Sequence, residues 1–404
     1  MAVGNVDFPE MKPVSGIKLG TSNAGIKQTE RDDILVVEMA EGSTCAGVFT
    51  QNAFCAAPVH VAKEHLQNSP RWLLINSGNA NAGTGQQGMQ DAKASCSFVA
   101  SAVAGEENKV LPFSTGVIGE NLPVNKIEKA LPKAVSNLQQ DNWTQAANAI
   151  MTTDTFVKGA SVVIELDGHP VTLTGISKGA GMIQPNMATM LGFVATDAKI
   201  SQSLLQQCLS LAAEQSFNRI TVDGDTSTND ACILMASGCS TAAEITADSA
   251  NYQLFSKAVM DICKRLAELI VRDGEGATKL MRISVEQAES NKEAVLVGKT
   301  IAHSPLVKTA FFASDPNWGR ILAAVGRAGV ENMDLDKIKI YLDDICIVKN
   351  GGRAESYTEE QGQQVMNKED ILIRVVLARG AITQEVLTCD LSYDYVKINA
   401  EYRT

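Results

Sequence analysis

No run of apolar residues in the chain approaches the ~18–20 that a membrane-crossing helix needs, so a bilayer span is not expected. Nor is there a surplus of positive charge. Lys and Arg number 35 against 46 Asp and Glu, for a formal charge of −11 and a pI near 5.0. That balance argues against a nucleic-acid backbone or an anionic membrane as main partner. Histidine is scarce, at four, and the pair His60 and His65 fits no metal-ligand spacing. No metal and no cofactor are expected. None of the nine cysteines stands in a CxxC pair, and Cys45, Cys208, Cys232, Cys263 and Cys346 lie in apolar runs. They read as reduced core thiols of a cytoplasmic protein. The opening MAVGNVDFPEMKPVSG lacks a basic segment followed by an apolar one, so no secretory signal is expected. Internal repeats and low-complexity segments are missing too.

What is present is ordinary for a globular protein: 45% hydrophobic and 20% charged residues. A length of 404 residues supports a large core in two domains. Apolar patterning predicts strands over 34–39, 45–50, 71–76 and 110–119, with a helix over 86–104. Helices follow over 122–138 and 142–150. A hairpin over 161–166 and 171–176 turns at Asp167-Gly168. Further helices are expected over 201–217, over 251–272 and from Gly319 onward. The last third reads as strands over 282–286, 338–342, 345–349, 371–377 and 386–391. The fold class is α/β, with mixed sheets packed against helices.

The stretch KGAGMIQPNMATMLGFVATD, from Lys178 to Asp197, combines a cation, a loop rich in breakers and an apolar strand. Thr189 stands where loop becomes strand. One reading makes it a β-branched strand residue. The other makes it a nucleophile whose base is its own α-amine, freed by cutting the Ala188–Thr189 bond. Gly83, Gly85 and Gly88 spell GxGxxG before a helix, the outline of a dinucleotide turn. Against that, six residues separate Gly83 from the predicted strand end at Asn76, and Glu106 and Glu107 are misplaced for a ribose contact. Ser114-Thr115-Gly116 offers either a helix cap or the donors of an oxyanion hole. Met151-Thr152-Thr153-Asp154-Thr155 is β-branched punctuation or a polar pocket wall. Asp223, Asp225 and Asp230 suggest calcium, but the twelfth loop position is Leu234 where Glu is required. After the long helix, Gly274 and Gly276 leave Glu275 on a loop, on the bland reading as a solvated acid.

KGAGMIQPNMATML resembles the self-cleavage segment of the ornithine acetyltransferase family, the glutamate N-acetyltransferases of arginine biosynthesis. MTTDT, ITVDGDTSTND, FFASDPNWGRILAAVGRAG and the C-terminal residues extend the resemblance over the whole chain. It implies the family's fold and a cut after Ala188. The cut would leave an α chain of residues 1–188 and a β chain of 189–404, which stay together and pair again as a heterotetramer. It also implies transfer of an acetyl group from N2-acetylornithine to glutamate through an acetyl-Thr189 intermediate. Thr115 and Gly116 inherit the oxyanion role. Thr152 (with Thr153 as the close alternative), Lys178, Thr189, Glu275, Asn399 and Thr404 inherit substrate contacts. Lys178 is expected to keep the freed amine unprotonated by like-charge repulsion. Gln184 stands where the family pattern leads one to expect a small residue. Whether acetyl-CoA also serves as donor is left open. The alternative from another class is a self-cleaving amidohydrolase or aminopeptidase that passes the acyl group from the same Thr to water.

Overall fold

The computed structural model describes residues 3–4, 6–27, 30–184 and 190–401. Ala188, Thr189 and Thr404 therefore lie outside the described residues. The chain forms two compact units, the first built from Asp7–Asn218 and Asp225–Ile270. Its elements are β1 (Ile17–Ser22), β2 (Ile34–Met39), β3 (Thr44–Phe49), α1 (Ala57–His65), β4 (Trp72–Asn79), α2 (Gly85–Ala102), β5 (Val110–Val117), α3 (Val124–Ser136) and α4 (Trp143–Ile150). Then come β6 (Lys158–Leu166), β7 (His169–Lys178), β8 (Leu191–Thr196), α5 (Gln202–Glu214), β9 (Ala231–Ala236) and α6 (Ala250–Arg272), the last with its final two residues in the other unit.

Two sheets form the centre of this unit. One has the order β1-β2-β4-β5, with β4 and β5 parallel across the α2 crossover. The other has the order β3-β9-β8-β7-β6. They face each other. Leu35, Val37, Ile75 and Phe113 of the first meet Ile176, Phe193, Ile233 and Met235 of the second in one buried cluster. Phe113 and Phe193 meet edge to face, with ring centroids 5.3 Å apart, a geometry worth about 0.5–1.5 kcal/mol beyond its area. The alternate residues Ile34, Val36 and Leu74 point the other way, into a cluster with Val61, Val99, Ile127 and Leu131 of α1, α2 and α3. Both faces of β2 and β4 are thus buried, which is why ILVV and WLLI are continuous apolar runs. On the outer face of the second sheet, Gly175 of β7 lies against Ile262 and Leu266 of α6.

The second unit contains Arg219–Gly224 and residues 271–401. Its elements are β10 (Leu280–Ala288), α7 (Asn291–Ala302), α8 (Pro305–Phe312), α9 (Trp318–Gly326), β11 (Lys339–Leu342), β12 (Ile345–Lys349), β13 (Gly352–Arg353), α10 (Glu359–Met366), β14 (Asp370–Val376), β15 (Ile382–Cys389) and α11 (Tyr393–Glu401). One sheet, β13-β12-β11-β14-β10-β15, packs Ile283, Val285, Ile340 and Ile373 against Val297, Ile301, Phe311 and Val325 of its helices. The α/β class with mixed sheets holds. The first unit contains residues from both sides of position 188.

Candidate active site

Three strands end or begin together in the second sheet of the first unit. Lys178, the last residue of β7, pairs with Leu191, the first of β8, and Leu191 pairs with Ala231, the first of β9. Ala231 N–H also donates to Met190 O at 2.9 Å. Thr189 precedes Leu191 by two positions and is itself outside the described residues. The sequence reading puts Lys178 in a loop. The structure instead extends β7 to Lys178, because the ladder to β8 continues through it, and the residue is buried.

Thr115 and Gly116 stand near the end of β5, opposite Ser77 and Gly78 of β4. Gly116 has φ +131°, and a Cβ there would run into the Gly78 carbonyl carbon and lie 2.6 Å from Asn79 N. Only glycine lets the two strands approach so closely. Ser114 Oγ donates to Asn76 Oδ1 at 2.6 Å. Asn229 Nδ2 donates to Ser114 O at 2.9 Å and to Ala80 O at 2.5 Å. That amide ties the end of β5 to the residues just before β9, and so to the strand beginnings around Leu191. The helix-cap reading of Ser114 or Thr115 fails. β5 runs on to Val117, and α3 starts at Val124 with Pro123 as its N-cap.

The glycine motif also has a structural account. β4 continues to Asn79, beyond the expected end at Asn76, so only Ala80, Asn81 and Ala82 separate it from Gly83. The turn is tighter than the sequence suggested. Thr84 Oγ1 donates to Asn81 Oδ1 at 2.8 Å, and Asn81 Nδ2 donates to Gly88 O at 2.9 Å. A Cβ at Gly88 would collide with Thr84 Oγ1. The loop thus folds onto its own helix.

The MTTDT segment follows α4. Asp154 is the residue around which it is arranged. Its Oδ1 accepts from Lys158 Nζ at 2.6 Å and from Gly179 N–H at 2.7 Å, and its Oδ2 accepts from Thr152 N–H at 2.9 Å. Burial alone would raise its pKa, but the charges of Lys158 and Lys178, with the hydrogen bonds from Lys158 and Gly179, hold it well below the usual carboxylate range. Asp230 shows the opposite outcome. Burial pushes its carboxyl well above the usual range despite a Ser227 hydrogen bond and the charge of Lys178. Its Oδ2 has no hydrogen-bond partner among the described residues. Lys27 reaches the same segment, donating to Met151 O at 2.9 Å and Ala149 O at 3.3 Å. Burial lowers its pKa to about 8. Asp33 and Asp154 oppose that shift, while Arg31 and Lys178 reinforce it.

In the second unit Glu275 and Asn399 come together. Asn399 Nδ2, on α11, donates to Glu275 Oε2 at 2.9 Å. Glu275 is buried, not solvated as its loop position suggested. The cause is the close seating of α11. Gly276 has φ +69°, its Cβ position lies 2.5 Å from Tyr395 N, and Ser392 Oγ donates to Gly276 O at 2.6 Å. Thr115, Gly116, Thr152 and Lys178 thus belong to one unit, Glu275 and Asn399 to the other. Sequence reasoning passed over Lys27, Lys158 and Asn229 as site residues, and weighed Asp230 only as a calcium ligand. Lys158 in particular falls three residues before the strand start expected at Ser161, whereas β6 begins with it.

The model of the ArgJ family matches residues 18–404. The arginine biosynthesis bifunctional protein ArgJ of Methylococcus capsulatus is 63% identical over 400 residues, covering 99% of this chain and 98% of that protein. The protein of the same name from Pseudomonas syringae pv. tomato is 56% identical over 405 residues, covering all of both. A crystal structure of the arginine biosynthesis bifunctional protein from Bacillus halodurans superposes with a TM-score of 0.51 at 43% identity, covering 53% of this chain and 100% of that one. The chain belongs to the ArgJ family.

Proposed function

We propose that the protein is an acetyltransferase of arginine biosynthesis that cuts itself between Ala188 and Thr189 and then works through the exposed Thr189. The Thr189 hydroxyl attacks the acetyl carbonyl of N2-acetylornithine, and the freed α-amine takes its proton. Thr115 and the Gly116 N–H hold the oxyanion. Collapse expels ornithine, which takes up the proton, and leaves an acetyl ester on Thr189. The amine of glutamate then attacks the ester, giving N-acetylglutamate and the free hydroxyl. Thr152, Lys178, Glu275, Asn399 and Thr404 bind the amino-acid substrates. The observation that carries this reading is the meeting of Lys178, the start of β8 and, through Asn229, the end of β5 at one edge of the first unit. The name of the Methylococcus capsulatus relative, bifunctional, supports acetyl-CoA as a second donor.

Further support for processing lies in proportion. The 216 residues that follow a cut after Ala188 are 53% of the 404, the share that the complete Bacillus halodurans chain covers. The α chain (1–188) and β chain (189–404) remain associated and pair as a heterotetramer in the cytoplasm. Among the described residues no helix is long and apolar enough to cross a membrane.

The deciding experiment is mass spectrometry of the protein with N-acetylornithine alone. The Thr189-started fragment should gain about 42 Da, one acetyl group. The gain should persist without acceptor and disappear on adding glutamate, with N-acetylglutamate formed. Loss to water at the same rate with and without glutamate would replace this reading with the amidohydrolase.

A further inference from the structure

Between Thr152 and Gly179 the chain makes a complete hairpin, β6 and β7, yet both residues end at one carboxylate. We propose that Asp154, paired with Lys158, is a positioning residue that sets the place of the Thr152 backbone and of the Lys178–Gly179 strand end. The proposal rests on the functional reading above and names a device within that same site.

The geometry leaves little slack. Both side chains of the ion pair are 0% exposed, and the N···O distance is 2.6 Å. Lys158 opens β6 directly across from Ser177 of β7, so the cation stands on the rigid hairpin and not on a loop. Lys158 Nζ also lies 3.4 Å from Phe156 O and 4.9 Å from the Phe156 ring centroid. Gly179 has φ +148°, and a Cβ there would come 2.9 Å from Ile183 Cδ1. Its N–H thereby points at Asp154 Oδ1. A buried pair of this kind contributes little net stability relative to two apolar side chains of similar size. What an apolar pair could not supply is an acceptor for two backbone N–H groups 27 positions apart. The carboxylate joins the entry of the cleavage segment to the segment proposed to bind substrate. Displacement of that carboxylate would shift Thr152 and the Lys178 strand end together.

An amide at this position has one acceptor oxygen and one donor group. In Asp154→Asn it must therefore turn an N–H toward Thr152 or Gly179, and it removes the carboxylate charge that Lys158 faces at 2.6 Å. The informative protein is the double variant D154N/K158M, which removes the charge imbalance. Self-processing is followed on gels, acetyl loading by mass spectrometry, and folding by thermal melting. The expected result is a double variant melting within a few degrees of wild type. Its processing and its loading per folded molecule should be roughly 10- to 100-fold slower, with a raised KM for N-acetylornithine, as for a reacting group misplaced by a fraction of an ångström to an ångström. A purely structural role would lower the melting temperature and leave the rate per folded molecule unchanged. A folded double variant that processes and loads at the wild-type rate overturns the proposal. Should it fail to fold, amide exchange in the wild-type enzyme decides. Thr152 and Gly179 N–H must be among the protected amides, and free exchange at either overturns the clamp. Wild-type protein that takes up no acetyl group refutes the functional reading. Wild-type protein that loads normally beside an unimpaired double variant refutes only the positioning role.

Discussion

Gly116→Ala tests the proposed oxyanion corner most directly, because two costs can be worked out from its surroundings. A residue with a Cβ at φ +131° is strained, at about 1–3 kcal/mol. The added methyl also meets the Gly78 carbonyl carbon and stands 2.6 Å from Asn79 N, both backbone atoms of β4 that cannot rotate away. Forcing β5 from β4 costs roughly another 1–3 kcal/mol. At ~2–4 °C per kcal/mol for a unit of this size, the melting temperature should fall by roughly 5–20 °C. The Gly116 N–H moves with the strand, so acetyl loading of the remaining folded protein should slow by about 10²–10³-fold. Gly119→Ala is the internal control. Its φ is +84°, but a Cβ there meets nothing within 4 Å. It should show strain alone, a smaller loss of stability and no loss of rate. Melting curves and single-turnover loading by mass spectrometry read both quantities. If Gly116→Ala melts with Gly119→Ala and loads like wild type, Gly116 is neither the tight point of the strand pair nor an oxyanion donor.

Three further predictions can be checked with simple means. A denaturing gel of fresh protein should show bands of roughly 20 and 23 kDa from the 43.0 kDa chain, the larger beginning Thr-Met-Leu-Gly; Thr189→Ala should stay intact and inactive. Thr115→Ala should lose about 10²–10³-fold in loading rate with little change in melting temperature, since no helix depends on it as a cap. Lys27 has its pKa lowered by burial to about 8, so between about pH 8 and its unfolded value of 10.5 the unfolded state binds more protons. Wild-type stability relative to Lys27→Met should therefore rise through that window and be flat below it, as read by melting temperature against pH.

Much of the fold was legible because β2 and β4 are buried on both faces and α3 and α6 show helical spacing. The sequence reading passed over β1 and β9. β1, IKLGTS, mixes Lys, Gly and Ser into an edge strand. β9, ACILMA, lies directly after an acidic turn that draws the eye to metal chemistry. The short helices α1 and α8, which open with prolines at their first turns, were given no element in the sequence reading. In the site, Thr115 and Gly116 were candidate oxyanion donors and Lys178 a conspicuous cation on the residues themselves, while the substrate roles of Glu275 and Asn399 were reached through resemblance alone. The structure supplies physical reasons for the glycine's backbone and for the burial of Glu275. Lys158 and Asn229 could not have been read. Asn229 meets its partners only through packing across two sheets, and although Lys158 stands four residues from Asp154, nothing in the local sequence shows that this pair is fully buried.

The strand order β3-β9-β8-β7-β6 has a consequence for how such a protein can be made. Were the chain divided after Ala188, β3, β6 and β7 would belong to the first piece and β8 and β9 to the second. The second piece's strands would sit between β3 and β7, with residues 173–178 hydrogen-bonded to 191–196. Neither piece could close that sheet by itself, and neither could leave without tearing it along two ladders. Synthesis as one polypeptide would then be obligatory, with folding finished before scission. Two separately expressed halves mixed in solution would present unpaired strand edges and aggregate before they met. A population of cut molecules would keep the partners they were born with, so mixed-isotope samples should show no exchange of halves between molecules.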